Sequence, residues 1–180
     1  FKSIYQYTYM TKKIQITGKR NIESLKKIKN PKRTESEKWE NKELLLDNKK
    51  QTNILNRLYL NEKFDGSISV EKSIKKKIKG YENQDKKKDI LNKKKLINYN
   101  DLLEVLVISK LKCYYCKCDC LLMYDNVREK KQWTLDRLDN HQGHNRDNIV
   151  IACLDCNLKK RTMDDKKFKF AKQMRIIKKY

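Results

Sequence analysis

The sequence has few of the residues that interrupt regular secondary structure. Its 180 residues include one proline and four glycines, which excludes collagen-like and glycine-rich low-complexity proteins. No stretch approaches the roughly 18 apolar residues of a membrane span, so we predict no membrane partner. The uncharged residues 3–11 lack the apolar centre of a secretion signal. We therefore expect a reducing intracellular compartment, such as nucleus, cytoplasm or organelle matrix.

Basic residues, in contrast, are abundant. Lys and Arg number 45 against 23 Asp and Glu, which gives a net charge of +22. Such a charge predicts attraction to a polyanion, of which nucleic acid is the commonest. Two alternatives remain open: a solvated basic surface, and the Lys-, Asn- and Ile-rich composition that an AT-rich genome produces. Hydrophobic residues make up 38% of the chain, enough for one small core.

The composition changes near residue 99 and predicts two regions. Residues 1–98 form a basic, lysine-rich and mostly helical region with lysine runs at 75–77, 86–88 and 93–95. We expect this region to contact nucleic acid or an assembly and to need that partner to become ordered. Residues 99–180 form an α+β domain. Its predicted elements are a helix capped by Asn100 or Asp101, a hairpin of 121–124 with 132–135, a strand at 149–152, and helices over 154–161 and from about 165 to 179.

Six cysteines lie in two tight groups, and none lies before residue 113. A secreted disulfide scaffold would distribute them along the chain. The pairs Cys113-x-x-Cys116 and Cys153-x-x-Cys156 have the spacing of a tetrahedral zinc site, and four thiolates make a closed, structural one. Two alternatives stay open: Cys118 replaces one member of the first pair, or the thiols are free and buried. Cys118 and Cys120 are otherwise packing residues.

A second pattern lies between and just after these pairs. It consists of Leu135-Asp136-Arg137-Leu138-Asp139-Asn140, then Gly143-His144, then Asp147-Asn148, and finally Asn157 directly after Cys156. Over residues 101–170 it resembles the HNH endonucleases of the ββα-metal type. The similarity is closest to the zinc-stapled subgroup of the phage T4 endonuclease VII type. Residues 73–88 are also similar to the lysine-rich segment that precedes such cores in HNH proteins of large DNA viruses.

The resemblance implies a small ββα-metal core and hydrolysis of DNA phosphodiester bonds. Phosphoryl chemistry of this kind uses a hard divalent cation such as Mg²⁺, which prefers oxygen ligands. By resemblance, Asp136 and Asn157 hold this cation. Asn148 orients the general base or braces the loop around it. The expected products carry a 5′ phosphate and a 3′ hydroxyl.

One position departs from the family pattern. The family has a water-activating His directly after the metal-binding Asp, whereas this chain has Arg137, which stays protonated. We expect Arg137 to clamp a phosphate or stabilise the transition state. His144 is the first candidate for the general base and His141 the weaker one. Asp139 is either a second metal carboxylate or a turn-forming residue.

Four basic residues are predicted to contact the nucleic-acid backbone at the cleft: Arg146, Lys159, Lys160 and Arg161. Each is alternatively a solvated surface charge. The aromatic residues Tyr114, Tyr115 and Trp133 either stack on bases or pack around the zinc site.

Three functions compete at this point. The first is a metal-dependent HNH endonuclease with a structural zinc and a basic nucleic-acid-binding extension. The alternative is an inactive HNH-fold zinc protein that binds DNA or RNA, or that joins other proteins in a virion or another large assembly. A third hypothesis is a homing or restriction enzyme whose N-terminal half recognises a target.

Overall fold

The computed structural model describes residues 18–23, 39 and 47–174. The chain divides into two compact units, Phe1–Lys32 and Arg33–Tyr180. In the first unit, the described residues contain one short helical segment over 19–23. The second unit carries every element discussed below, and the boundary predicted near residue 99 lies inside it. Among the described helices, none combines the length and apolarity needed to cross a bilayer.

The first two described helices of this unit lie in the region predicted to be mostly helical. Helix α1 spans Asn48–Tyr59, and the Asp47 side chain accepts hydrogen bonds from the first backbone N–H groups. Helix α2 spans Ser67–Lys87, which is 21 residues. Gly66 precedes it at a φ of 80°, in the left-handed region that glycine tolerates. Both helices bury apolar residues in the shared core.

Helix α3, Tyr99–Ile108, connects these helices to the sheet. Its N-cap is Asn98, two residues before the earliest predicted cap, because the Asn98 side chain accepts a hydrogen bond from Asp101 N at 2.9 Å. Leu102, Leu103 and Leu106 are buried, and the helix packs against α1, α2 and the second strand. The lysine-rich helices and the cysteine-containing region therefore share one core.

The sheet has two antiparallel strands, β1 at Trp133–Arg137 and β2 at Ile149–Cys153. The register pairs Trp133 with Cys153 and Arg137 with Ile149. A short 3₁₀ turn, Arg146–Asn148, leads into β2. Helix α4, Leu154–Lys160, follows β2 directly and packs against both strands. Helix α5 spans Asp165–Gln173, and residues 175–179 of the predicted final helix lie outside the described residues.

The predicted hairpin of 121–124 with 132–135 is wrong. Leu121 and Gln132 form only an isolated parallel bridge, and β1 pairs with β2 instead. The reason lies in the backbone of 122–124, whose polar groups are bonded by side chains. Gln51 bonds the backbone of Leu122 and Met123, and Trp39 donates to Tyr124 O at 3.0 Å.

The edge of β1 that faces away from β2 is closed by side chains. The backbone of Trp133, Leu135 and Arg137 on this edge is bonded by side chains from two helices. These side chains are Lys77 and Tyr81 of α2 and Asn157 and Lys160 of α4. We call this arrangement the closed edge. It fixes α2 and α4 along one edge of the strand that carries Asp136.

Candidate functional site

Four cysteine sulfurs converge next to the sheet. The Sγ atoms of Cys113, Cys116, Cys153 and Cys156 all lie within 4.8 Å of one another. The Sγ atoms of Cys116 and Cys153 are 3.9 Å apart. A tetrahedral zinc ion with Zn–S bonds of about 2.3 Å requires sulfurs about 3.8 Å apart. The donor type and the spacing therefore fit a metal ion such as zinc.

Local structure explains this convergence. Tyr114 N donates to Ile151 O at 2.8 Å, which ties the loop of the first pair to β2. Lys117 turns the loop with a φ of 61°. The second pair spans the junction of β2 and α4, where Cys156 N donates to Cys153 Sγ. The cluster thus fixes the start of α4 against the sheet.

The two remaining cysteines lie outside this cluster. Cys118 is half-buried, and its carbonyl accepts a hydrogen bond from Cys113 N at 2.9 Å. Cys120 is fully buried in the core. Burial raises the pKa of Cys118 to about 12 and also raises the pKa of Cys120. Of the pairings left open by the sequence, the structure brings together Cys113 and Cys116 with Cys153 and Cys156.

A cleft of about 610 Å³ opens between α2, β1 and α4. Three residues predicted to be catalytic, Asp136, His144 and Asn157, all line it. Arg137 and Arg161 line it as well, together with Tyr81 and Lys88 from the α2 side. Tyr81 and Asn157, two members of the closed edge, line the cleft, so hydrogen bonds to β1 connect its α2 and α4 sides.

Asp136 is almost completely buried at 6% exposure. Its Oδ2 accepts a hydrogen bond from the Tyr115 hydroxyl and lies 3.0 Å from Lys160 Nζ. Lys160 is fully buried and also donates to Arg137 O at 2.8 Å. The predicted nucleic-acid contact Lys160 is thus an internal ion-pair partner. Both contacts use Oδ2, so Oδ1 is the oxygen of Asp136 that these partners leave for a ligand.

Asn157 is held against β1 by its amide nitrogen. Its Nδ2 donates to Thr134 Oγ1 at 3.0 Å and to Leu135 O at 3.1 Å. A carbonyl oxygen only accepts, so the Leu135 contact fixes which end of the amide faces the strand. The Oδ1 atom of Asn157 is therefore the end that can serve as a ligand.

His144 is buried and paired with an acidic residue of α2. Its Nδ1 lies 2.7 Å from Asp85 Oδ1, and its backbone N–H donates to Asp85 Oδ2 at 2.6 Å. The Tyr81 ring lies against the imidazole with the ring centroids 4.5 Å apart. Burial lowers the pKa of His144, and the Asp85 carboxylate partly opposes this shift. The imidazole is therefore neutral at neutral pH.

Asp85 is a site residue that sequence reasoning missed. It lies 59 residues before His144, next to the lysine run 86–88. The signal in the sequence is the position of Asp85 one helical turn after Tyr81, on the same face of α2 as the apolar residues Val70 and Ile74, which are buried. An acidic residue on the apolar face of a basic helix indicates a buried partner.

Arg137 turns toward the loop that follows β1. It is 8% exposed, and its Nη1 donates to Asn140 O at 3.3 Å and to Gln142 O at 3.1 Å. These contacts hold the loop 138–145 against the strand. The rest of the guanidinium borders the cleft.

Asn148 braces the same loop. Its Oδ1 accepts from Asp139 N at 2.8 Å, and its Nδ2 donates to Asp139 O and Gly143 O. The Asp139 carboxylate accepts from His141 N at 2.9 Å, which is a turn-forming contact and lowers its pKa. His141 is exposed. Of the two roles considered for Asn148, these contacts match bracing of the loop.

The other basic and aromatic candidates differ in their exposure to solvent and in their partners. Arg161 is exposed at the cleft, whereas Lys159 pairs with Asp155 at 2.6 Å. Arg146 pairs with two acidic residues of α3. Tyr115 and Trp133 are fully buried packing residues, and Tyr114 is half-buried beneath the Lys169 ammonium.

The two centres are joined by α4. Cys156 belongs to the sulfur cluster, the next residue, Asn157, lines the cleft, and Lys160 one turn later holds Asp136. A metal ion in the cluster would therefore fix the geometry of the cleft without reacting in it. Comparisons of the chain with protein-family models, curated proteins and solved structures find no match.

Proposed function

We propose that this protein is a metal-dependent endonuclease of the HNH type that hydrolyses DNA phosphodiester bonds. The observation that carries the proposal is one cleft lined by Asp136, His144 and Asn157, next to a four-cysteine cluster suited to zinc. These residues supply an anionic oxygen, a neutral imidazole and an amide oxygen. Together they match the needs of phosphoryl hydrolysis.

The oxygens of Asp136 and Asn157 fit a hard divalent cation such as Mg²⁺. Lys160 and Tyr115 hold Oδ2 of Asp136, and β1 holds Nδ2 of Asn157. In each residue the Oδ1 atom is the one left for the cation. Mg²⁺ accepts one or two protein oxygens and keeps several waters. When bound, the cation supplies charge neutralisation at the phosphate.

His144 serves as the general base. Its Nδ1 is bonded to Asp85, so Nε2 is the nitrogen that can take a proton from water. The water oxygen bonds to phosphorus, the bond from phosphorus to the 3′ oxygen breaks, and the leaving 3′ oxygen takes a proton from solvent. Arg137 lies at the same cleft and remains cationic, which favours the anionic transition state.

Exposed cations on both walls of the cleft support a polyanionic substrate. Lys88 stands on the α2 side and Arg161 on the α4 side. With a net charge of +22, the chain attracts DNA or RNA without reading its sequence. Binding of this kind weakens steeply with salt, because counterions are released from the phosphates.

The test is nicking of supercoiled plasmid at low salt with Mg²⁺ or Mn²⁺. We expect the wild type to nick and Asn157→Ala to lose nicking while still binding DNA by fluorescence anisotropy. Asn83→Ala is the matched control, since Asn83 is exposed on α2 and does not line the cleft. A melting curve of each variant separates loss of chemistry from loss of folding. DNA binding by the wild type without any nicking would refute the proposed endonuclease activity.

One observation favours the alternative function, an inactive zinc-stapled protein that binds nucleic acid in a virion or another large assembly. Arg137 occupies the position of the family's base and bonds loop carbonyls, and the buried Lys160 already neutralises Asp136. A folded wild type that binds DNA, holds zinc and shows no metal-dependent nicking would favour this alternative.

A further inference from the structure

The Asp85–His144 contact is almost completely enclosed beside the cleft. The Asp85 side chain is 1% exposed and the His144 side chain 5% exposed. Both carboxylate oxygens are used, one by the backbone N–H of His144 and one by its ring. Because the two residues are 59 positions apart, the contact fastens α2 to the loop 138–145.

The surroundings of this contact are asymmetric. On the α2 side, Asp85 is the anion and Tyr81 covers the ring, with the Tyr81 hydroxyl engaged by Leu135 N. Burial lowers the pKa of His144, and the cations of Arg137 and Lys88, which also line the cleft, lower it further. The ring therefore lies between a buried anion and a cationic cleft. A proton gained on the cleft side is stabilised from the opposite side.

A carboxylate accepts hydrogen bonds and does not donate them. In the neutral imidazole, the Nδ1 atom of His144 at 2.7 Å from Asp85 Oδ1 therefore carries the hydrogen, and Nε2 has none. From this geometry we infer that Asp85 is a positioning residue, which holds His144 in the tautomer whose Nε2 accepts a proton in the cleft. The inference rests on the proposed nuclease activity and adds one residue of α2, Asp85, to the proposed active site.

The loop is shaped to allow this contact. At Gly143, a Cβ atom would lie 2.8 Å from Asp85 Oδ2 and 2.9 Å from Ile90 O. The Gly143 carbonyl is held by Asn148 Nδ2 at 3.0 Å and by Asn145 N at 2.8 Å. The backbone can thus approach the carboxylate closely enough for both oxygens to bond residue 144. The proton balance is simple: water releases a proton to Nε2, Asp85 stabilises the imidazolium, and the proton then passes to solvent.

The first arm of the test reads the tautomer directly in the full-length protein. Nitrogen-15 NMR distinguishes a protonated from an unprotonated ring nitrogen, and the chain has only two histidines to assign. We expect wild-type His144 to carry its hydrogen on Nδ1. In Asp85→Asn, the amide oxygen can accept a hydrogen bond from only one of the two His144 donors, the backbone N–H and the ring Nδ1–H. The NH₂ group of the amide then faces the other. We expect the hydrogen to move to Nε2. A wild-type His144 with Nε2 protonated at neutral pH would overturn the inference, even if the variant did not fold.

The second arm compares nicking rates. We expect Asp85→Asn to nick about 10²–10⁴-fold more slowly while it still binds DNA, because the wrong tautomer cannot accept the proton. The acid limb of its residual pH–rate profile should move to lower pH, since the anion that favours the imidazolium is gone. A purely structural role for Asp85 would lower the rate without moving this limb. Asp89→Asn is the matched control, because Asp89 is exposed and its φ of 57° is one that Asn tolerates.

The two arms separate the two proposals. A wild type that does not nick refutes the nuclease, and the tautomer measurement still decides whether Asp85 sets the protonation of His144. If the wild type nicks and Asp85→Asn keeps both its rate and its tautomer, the nuclease stands and the inference fails.

Discussion

Adding one methyl group at Gly143 should be far more costly than adding one at Gly80. The new Cβ at residue 143 would lie 2.8 Å from the buried Asp85 carboxylate and 2.9 Å from the Ile90 carbonyl. Since neither of these atoms lies at the end of a long flexible side chain, the loop itself must shift to make room. Overpacking of this kind costs about 1–3 kcal/mol, and weakening the buried contacts of Asp85 adds about 1–3 kcal/mol. We expect Gly143→Ala to lower the free energy of unfolding by about 2–6 kcal/mol.

Gly80→Ala is the internal control for this prediction. Gly80 lies within α2, and a Cβ there would meet nothing within 4 Å. Alanine in a helix interior is favoured over glycine by about 0.5–1 kcal/mol, so this variant should be more stable than the wild type. Urea unfolding followed by circular dichroism measures both changes. The reasoning would be refuted if Gly143→Ala unfolded within about 0.5 kcal/mol of the wild type, a change typical of an unremarkable surface substitution.

Three further results are expected. Metal analysis should find one zinc per chain, which Cys156→Ser loses and Cys118→Ser keeps, because only Cys156 belongs to the sulfur cluster; zinc in both variants would exclude the four-sulfur site. Lys160→Met should lower the free energy of unfolding in urea by about 3–5 kcal/mol, since it leaves the Asp136 carboxylate buried without its cation; an unchanged unfolding midpoint would contradict the ion pair. The lowered pKa of His144 means that the unfolded chain binds a proton at this residue more readily, so the free energy of unfolding should fall as pH drops below the ordinary value of 6.5. Urea unfolding measured over this pH range should show a shallower fall for His144→Gln. Equal falls in the wild type and the variant would count against the buried neutral ring.

Short-range patterns in the sequence predicted much of the region after residue 112. The two Cys-x-x-Cys pairs meet in one cluster, and the strand and helix around the second pair form at Ile149–Cys153 and Leu154–Lys160. These elements are specified locally, by β-branched residues in the strand and by the sulfur of Cys153, which accepts the hydrogen bond at the start of the helix. Local chemistry of this kind can be read from a single sequence.

Contacts across long separations could not be predicted in the same way. The backbone of 122–124 is hydrogen-bonded by the side chains of Gln51 and Trp39, which removes the hairpin that its apolar pattern predicted. Asp85 and Lys160 resemble ordinary surface charges in a chain that is 38% charged. Lys160 is buried where α4 packs against β1, and Asp85 is buried where α2 meets the loop 138–145. Their roles depend on tertiary neighbours that composition does not identify, and periodicity marks only the inward position of Asp85 on α2.

The closed edge also governs how this protein behaves at high concentration. An unpaired strand edge is a template for pairing with another molecule, and here the cleft side chains occupy it. Asn157 and Lys160 therefore keep β1 from recruiting a neighbouring chain. Substituting either one frees a backbone carbonyl of β1, at Leu135 or Arg137. Variants at these two positions should self-associate more readily, so light scattering belongs beside every activity measurement made on them.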